Sequence, residues 1–145
     1  MSWQENLVEG TEGIRTLLAQ TKRVAVLGIK TEAQAHEPAF YVAKYLASAG
    51  LEVIPVPVYY PQVTSILGLK VYRKLVDVPG EIDLVNVFRL PEHISLHLDD
   101  MLAKKPQAAW FQSGIRNDEV AERLAQSGIK VVQDRCLMIE HRRAS

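Results

Sequence analysis

Lys22–Gly50, KRVAVLGIKTEAQAHEPAFYVAKYLASAG, is the stretch that decides the fold. Its apolar run Val24–Leu27 has the composition of a strand buried on both faces. Gly28 ends that run where the chain must turn, and a polar loop follows. A helix opens at Pro38, which is favoured in a first helical turn because its missing N–H is not needed there. Val42, Leu46 and Ala49 fall on one side of this helix, and Gly50 stands where a C′ glycine ends it. A strand, a turn and a helix in this order bring a loop and a helix N-terminus to the carboxyl edge of a sheet. Free N–H groups and the helix dipole suit such an edge to phosphate.

Reading outward, Thr11–Thr21 places Ile14, Leu17 and Leu18 at helical spacing, so a short amphipathic helix capped at Thr11 is expected before the first strand. Leu51–Val56 is a second strand, and Pro55 and Pro57 put it near a sheet edge. The segment VYYPQVTSILGLKVY is too weakly helical for a crossover helix. It reads as a loop, a turn at Val63–Leu67 and a short strand at Lys70–Tyr72, with one more turn at Arg73–Val76 before Pro79-Gly80. Asp83–Phe88 is a central strand with Asn86 unusual inside it, and Arg89-Leu90-Pro91 leads to a helix bearing Ile94, Leu98, Met101 and Leu102. Ala108–Phe111 is the next strand, with Trp110 read as core. A helix over Asp118–Gln126, capped by Asn117 and closed by Gly128, leads to a last strand at Ile129–Val132. The tail is polar and basic after Ile139. Strand and helix alternating along one chain argue for an α/β protein of three layers, with a mostly parallel sheet of five to six strands and helices on both faces. Five loops then converge at the carboxyl edge: 28–37, 57–61, 89–92, 112–117 and 133–136.

At 145 residues the chain is of one-domain size. Acids and bases balance at 17 each, so no overall field argues for nucleic acid or an anionic membrane. No apolar run approaches a membrane span, and MSWQENLVEG has none of the regions of a signal peptide. The single cysteine, Cys136, leaves no internal disulfide and no zinc-type spacing, so a reducing, cytoplasmic setting is expected.

The loop after Gly28 has no further glycines at G-x-G-x-x-G spacing, and no acidic residue follows the second strand, which argues against an ordinary NAD site. A phosphate-binding P-loop is also missing. What remains is a loop with Lys30 and Thr31 and further cations at Lys44, Arg89, Arg116 and Arg135, a set suited to a polyanionic ligand of nucleotide size.

Several stretches in order carry a resemblance: VAVLGIK…P…YVAKYLASAGLEVIPV, ILGLKVYRKLVDVP, DLVNVFRLPE, AAWFQSGIRNDEVAERLAQSGIKVV and DRCLMIEH. Together they resemble the small stand-alone coenzyme A-binding proteins, whose Rossmann-like fold is that of the CoA-binding domain of succinyl-CoA synthetase. The resemblance implies that Gly28, Ile29, Lys30 and Thr31 wrap the CoA pyrophosphate. It implies further that Tyr59 and Tyr60 face the adenosine end, and that Arg89, Pro91, Gln112, Ser113 and Gly114 line the cleft. The family's Asn-Pro-Lys after the second strand is here Pro57-Val58-Tyr59-Tyr60, which removes a lysine for a ribose phosphate and offers a tyrosine to stack on adenine. Glu32 and Glu37 stand close to the phosphate loop.

The reading is therefore a protein that binds CoA or an acyl-CoA without catalysis of its own, acting as a homodimer or beside an acyl-CoA enzyme. No Ser–His–Asp order and no spaced acid pair suggest otherwise. Two rivals stand: a small acyl-CoA-handling enzyme using Cys136 or His141, and an NAD(P)- or other nucleotide-binding protein. His93 and His97 lie at i, i+4 without a third metal ligand and read as surface histidines. Arg135, Glu140 and His141 read as a structural ion-pair set, and Cys136 as a packed thiol. Gly28→Val is expected to block binding while leaving the fold largely intact.

Overall fold

Short runs rich in Val, Ile and Ala become the strands of a computed structural model that describes residues 2–145. In chain order the strands are β1 (Arg23–Leu27), β2 (Glu52–Val56), β3 (Ser65–Ile66), β4 (Leu69–Lys70), β5 (Leu84–Val87), β6 (Ala108–Phe111) and β7 (Lys130–Val132). The helices are α1 (Thr11–Ala19), α2 (Pro38–Ser48), α3 (Leu98–Lys104), α4 (Asp118–Gln126) and α5 (Leu137–Ala144). Five strands form one parallel sheet in the order β2-β1-β5-β6-β7. Strand order reverses between β1 and β5, and in open α/β sheets a crevice for ligands forms at the carboxyl side of that reversal.

The pleat divides the core into two layers. Ala25, Leu27, Val85, Val87, Ala109 and Phe111 face one side and pack with Met101 of α3 and Val120, Ala121 and Leu124 of α4. Val24, Val26, Leu84, Ala108 and Trp110 face the other side, under Ile14, Leu17 and Leu18 of α1 and Phe40, Val42, Ala43 and Leu46 of α2. This is the three-layer, Rossmann-like arrangement expected of the alternating pattern. Trp110 is fully buried, and its indole N–H donates to the Arg135 carbonyl at 2.8 Å.

β2 lies at the sheet edge, where the missing N–H of Pro55 breaks no ladder, and the Pro55 carbonyl accepts from Tyr72 N at 2.9 Å. The expected strand at Lys70–Tyr72 is instead β4, paired antiparallel with β3 in a separate hairpin. Ile66 of this hairpin is fully buried against the α2 layer, so one side chain docks a segment too short for a sheet of its own. The expected turn at Arg73–Val76 lies slightly later, as a 3-10 turn at Leu75–Asp77. Residues Pro91–His97 also form 3-10 helix, and only Leu98–Lys104 is α-helical.

Helix starts follow their caps. Asn117 caps α4 through its side-chain oxygen, which accepts from Val120 N at 3.1 Å. Its amide also donates to the Pro91 carbonyl at 3.0 Å, tying α4 to the segment after β5. Asn117→Ala is expected to lower stability by about 1–2 kcal/mol, read as the urea midpoint. Thr11 is not the cap of α1: Gly10 holds that position, with no side-chain cap bond, and Thr11 begins the helix. Ala49 is exposed beyond the end of α2. The tail, read as polar chain, is helix α5. Its start is anchored by Leu137 N donating to Gln112 Oε1 at 3.3 Å, and its side by the Tyr45 hydroxyl, 2.8 Å from His141 Nδ1. Among the described residues no helix is long and apolar enough to cross a membrane.

Candidate functional site

At the carboxyl edge, over the β1/β5 reversal, the loops leave a cleft of about 440 Å³. Lys30, Glu37, Pro38 and Ala39 come from the β1–α2 connection, Tyr59 from beyond β2, and Phe88, Arg89, Leu90, Pro91 and His93 from beyond β5. Gln112, Ser113, Gly114 and Ile115 complete the wall from beyond β6. Four of the five loops expected to converge therefore do so. The fifth, 133–136, supports the wall from behind: Asp134 Oδ1 accepts from Gly114 N and Gln133 Oε1 from Asn117 N, each at 2.7 Å.

Gly28 lies beneath this cleft and does not line it. Its φ is +85°, and a Cβ at that position would stand 2.2 Å from the Phe88 carbonyl oxygen. The residue is a glycine because two strand ends come together there, whatever binds above. The side chain of Ile29 is buried in the core beneath α2 and does not line the cleft. Thr31 does not line it either. Its N–H and hydroxyl both donate to Gln34 Oε1, at 3.0 and 2.8 Å, in a capping box for the 3-10 turn Glu32–Gln34. Lys30 N donates to the Ala39 carbonyl at 3.1 Å, so the loop folds back on the first turn of α2.

The charges around this loop are also paired. The Lys30 ammonium meets the Glu37 carboxylate. Their hydrogen bond, reinforced by their mutual attraction, moves the Lys30 pKa up and the Glu37 pKa down from their ordinary values. Glu32 does not approach this pair, since its carboxylate accepts from Leu67 N at 2.7 Å and fastens the hairpin to the loop.

Arg89 is the ordered cation of the cleft. It directly follows the buried strand β5, and three contacts fix its guanidinium. Nε donates to His97 Nε2 at 3.0 Å, Nη1 to the Tyr59 hydroxyl at 3.2 Å, and the guanidinium carbon lies 5.5 Å from the centre of the Tyr59 ring. Tyr59 thus lines the cleft, with Arg89 near its ring. Tyr60 does not line it; its ring stands edge-on to Tyr59, 6.4 Å between centres. Arg73 holds the tyrosine turn by donating to the carbonyls of Tyr59, Tyr60 and Val63 at 2.7–3.0 Å.

His93 and His97 are half-buried and are not surface histidines. They lie in 3-10 helix, where residues four apart do not share a face as they do in an α-helix. His93 lines the cleft, and its Nδ1 is buried without a protein partner. His97 has its pKa lowered by burial first, then by the Arg89 charge and by His93, with Asp100 opposing. The unfolded chain therefore takes up this proton before the folded one. The contribution of His97 to stability is intact above the ordinary value of 6.5 and falls away as the pH drops through and below it. Thermal melts at about pH 7.5 and about pH 5.5 are expected to differ more in the wild type than in His97→Gln, whose amide oxygen can still accept from Arg89.

Asn86, unusual in a central strand, is fully buried and donates to Gln112 Oε1 at 3.2 Å. That oxygen also receives Leu137 N, so the two N–H groups of the Gln112 amide are what this buried side chain offers the cleft it lines. Sequence reasoning missed Glu37, Pro38 and Ala39 as wall residues, along with Phe88, Leu90, His93 and Ile115; for the first three the start of α2 at the sheet edge was the available signal, and for the others their closeness in sequence to Arg89, Pro91 and Gly114.

Other expected cations lie elsewhere. Lys44 is on the exposed side of α2. Arg116 and Arg135 line a separate depression of about 290 Å³ with Val8, Glu9, Val131, Gln133 and Asp134. The ion-pair set near the tail is Arg135 and Arg143 on Glu140, at 3.8 and 3.2 Å, with His141 bound to Tyr45 instead. Neither Cys136 nor His141 lines the cleft.

Residues 22–142 match the sequence profile of the family described as CoA binding domain. The chain belongs to the CoA-binding domain family. It is 32% identical over 128 residues to the uncharacterized protein YneT of Bacillus subtilis, a match covering 88% of this chain and 91% of that protein. Among solved structures, the protein cell-free ID.343 of Thermus thermophilus superimposes with a TM-score of 0.85 at 37% identity, over 94% of this chain and all of that one. A hypothetical protein of Pyrococcus horikoshii OT3 gives 0.83 at 29% identity, over 94% of this chain and 92% of that chain.

Proposed function

We propose that the protein binds coenzyme A or an acyl-CoA in the cleft over the β1/β5 reversal, and that it holds or presents the coenzyme without chemistry of its own. One observation carries the reading. In a chain of the CoA-binding domain family, the fixed guanidinium of Arg89 and the N–H groups of Gln112 meet in one largely apolar cleft. Arg89 supplies a directed charge for a phosphate oxygen. Gln112 supplies donors for an amide or thioester carbonyl. Phe88, Pro91 and Ile115 give a thioalkyl arm a wall away from water.

The absence of autonomous catalysis is part of the proposal. Placement supports it, because Cys136 packs beside the α2-side core and His141 is engaged by Tyr45, both outside the cleft lining. The cytoplasm is the proposed setting, with Cys136 as an unpaired thiol. A homodimer or an acyl-CoA enzyme is the proposed partner.

Calorimetric titration with CoA, acetyl-CoA, NAD and ATP tests the reading. Binding of CoA or acetyl-CoA is expected. Binding of NAD or ATP with no CoA binding at about 1 mM would overturn it. Incubation with acetyl-CoA, followed as free thiol, is expected to show no protein-dependent release; release that disappears in Cys136→Ala would establish the enzyme instead.

A further inference from the structure

The cleft is short of positive charge for a ligand as anionic as coenzyme A. Its two cationic side chains are Lys30 and Arg89. Lys30 is cancelled by Glu37. Arg89 spends Nε on His97 and one N–H of Nη1 on Tyr59, which leaves the other N–H of Nη1 and both of Nη2 to turn on a ligand. Arg73, the next cation along the tyrosine turn, has committed both terminal nitrogens to backbone carbonyls. The ammonium of Lys70 stands over the Tyr72 ring at 5.2 Å, in the hairpin.

The cleft therefore presents one uncompensated positive charge. The diphosphate of a nucleotide coenzyme carries about two negative charges, and a ribose 3′-phosphate adds about 1.5–2 more. A phosphomonoester that neither a cation nor a free N–H group receives stays in water and adds nothing to affinity.

Resting on the CoA reading above, we propose that the site recognises a nucleoside diphosphate joined to a thiol-bearing arm and does not read the 3′-phosphate, so that 3′-dephospho-CoA is bound as well as CoA. Specificity then comes from the diphosphate at Arg89 and from the arm along the apolar wall. The Lys30–Glu37 pair keeps the site from gaining a second free cation.

Titration of the full chain with CoA and with 3′-dephospho-CoA at low salt, where charge contacts are least screened, decides the matter. Dissociation constants that agree within about threefold, or that favour the dephospho form, support the proposal, since exposed charge contacts of this kind are small. A larger preference for CoA overturns it while leaving the CoA reading intact. Failure of both ligands to bind overturns both. Glu37→Gln, which frees the Lys30 ammonium toward the diphosphate that both ligands share, is expected to tighten both and to leave their ratio within about threefold. No tightening of either ligand in that variant contradicts the role given to the ion pair.

Discussion

Gly28→Val is expected to destabilise the protein by more than about 4 kcal/mol, enough to leave much of it unfolded. Two costs combine. At φ +85° any L side chain is strained, by about 1–2 kcal/mol. The larger cost is steric, because the new Cβ would stand 2.2 Å from a backbone oxygen, that of Phe88. That oxygen cannot simply retreat. Phe88 N donates to the Leu27 carbonyl and Gly28 N to the Val56 carbonyl, both at 2.9 Å, so the clash lies where the ends of β1, β2 and β5 are laced together. This corrects the expectation that valine would block binding and spare the fold. Gly114 is the control: its φ is +82°, but a Cβ there meets nothing within 4 Å. Gly114→Ala should therefore cost only about 1–2 kcal/mol. Equal urea midpoints for the two variants would contradict the account of the strand ends.

Arg89→Met is expected to weaken CoA binding about 10- to 100-fold while changing the melting temperature little. A charge-assisted hydrogen bond to phosphate is worth about 1.5–3 kcal/mol. Methionine keeps part of the stem that packs against Tyr59 and removes the charge. The loss should shrink as salt is raised, because the contact is electrostatic and the cleft is open. Removal of Arg89 also takes a positive charge from beside His97, so the His97 pKa should move back up toward its ordinary value. A titration of the imidazole by NMR reads this separately from affinity. Unchanged affinity together with a shifted His97 would mean that Arg89 is a structural residue of the β5 end.

The sequence was most legible where local signals agreed. β6 and α4 lie at Ala108–Phe111 and Asp118–Gln126, the spans expected from an apolar run and from an Asn117 cap with an apolar stripe. α5 escaped notice because Leu137, Met138 and Ile139 give it only one turn of apolar residues before a charged stretch, and what anchors it lies far away in sequence, on Gln112 and Tyr45. The hairpin was misread for a similar reason: two-residue strands carry no period, and one buried Ile66 docks them. At the site, topology alone brought Arg89 and the Gln112–Gly114 turn to the same edge. The state of the first loop could not be read that way. Whether Lys30 faces a ligand or a carboxylate depends on how seven residues curl, and here they curl to meet Glu37. Ile29 likewise looks like part of a phosphate loop in one dimension and is a core residue in three.

The most direct test of the central claim is an amide chemical-shift map of the isotope-labelled protein titrated with CoA. The account predicts that the largest changes fall at Lys30, Phe88–Leu90 and Gln112–Ile115, around the cleft at the β1/β5 reversal. Changes centred on Val8, Glu9, Arg116 and Arg135 in the second depression, or no changes at saturating CoA, would contradict it.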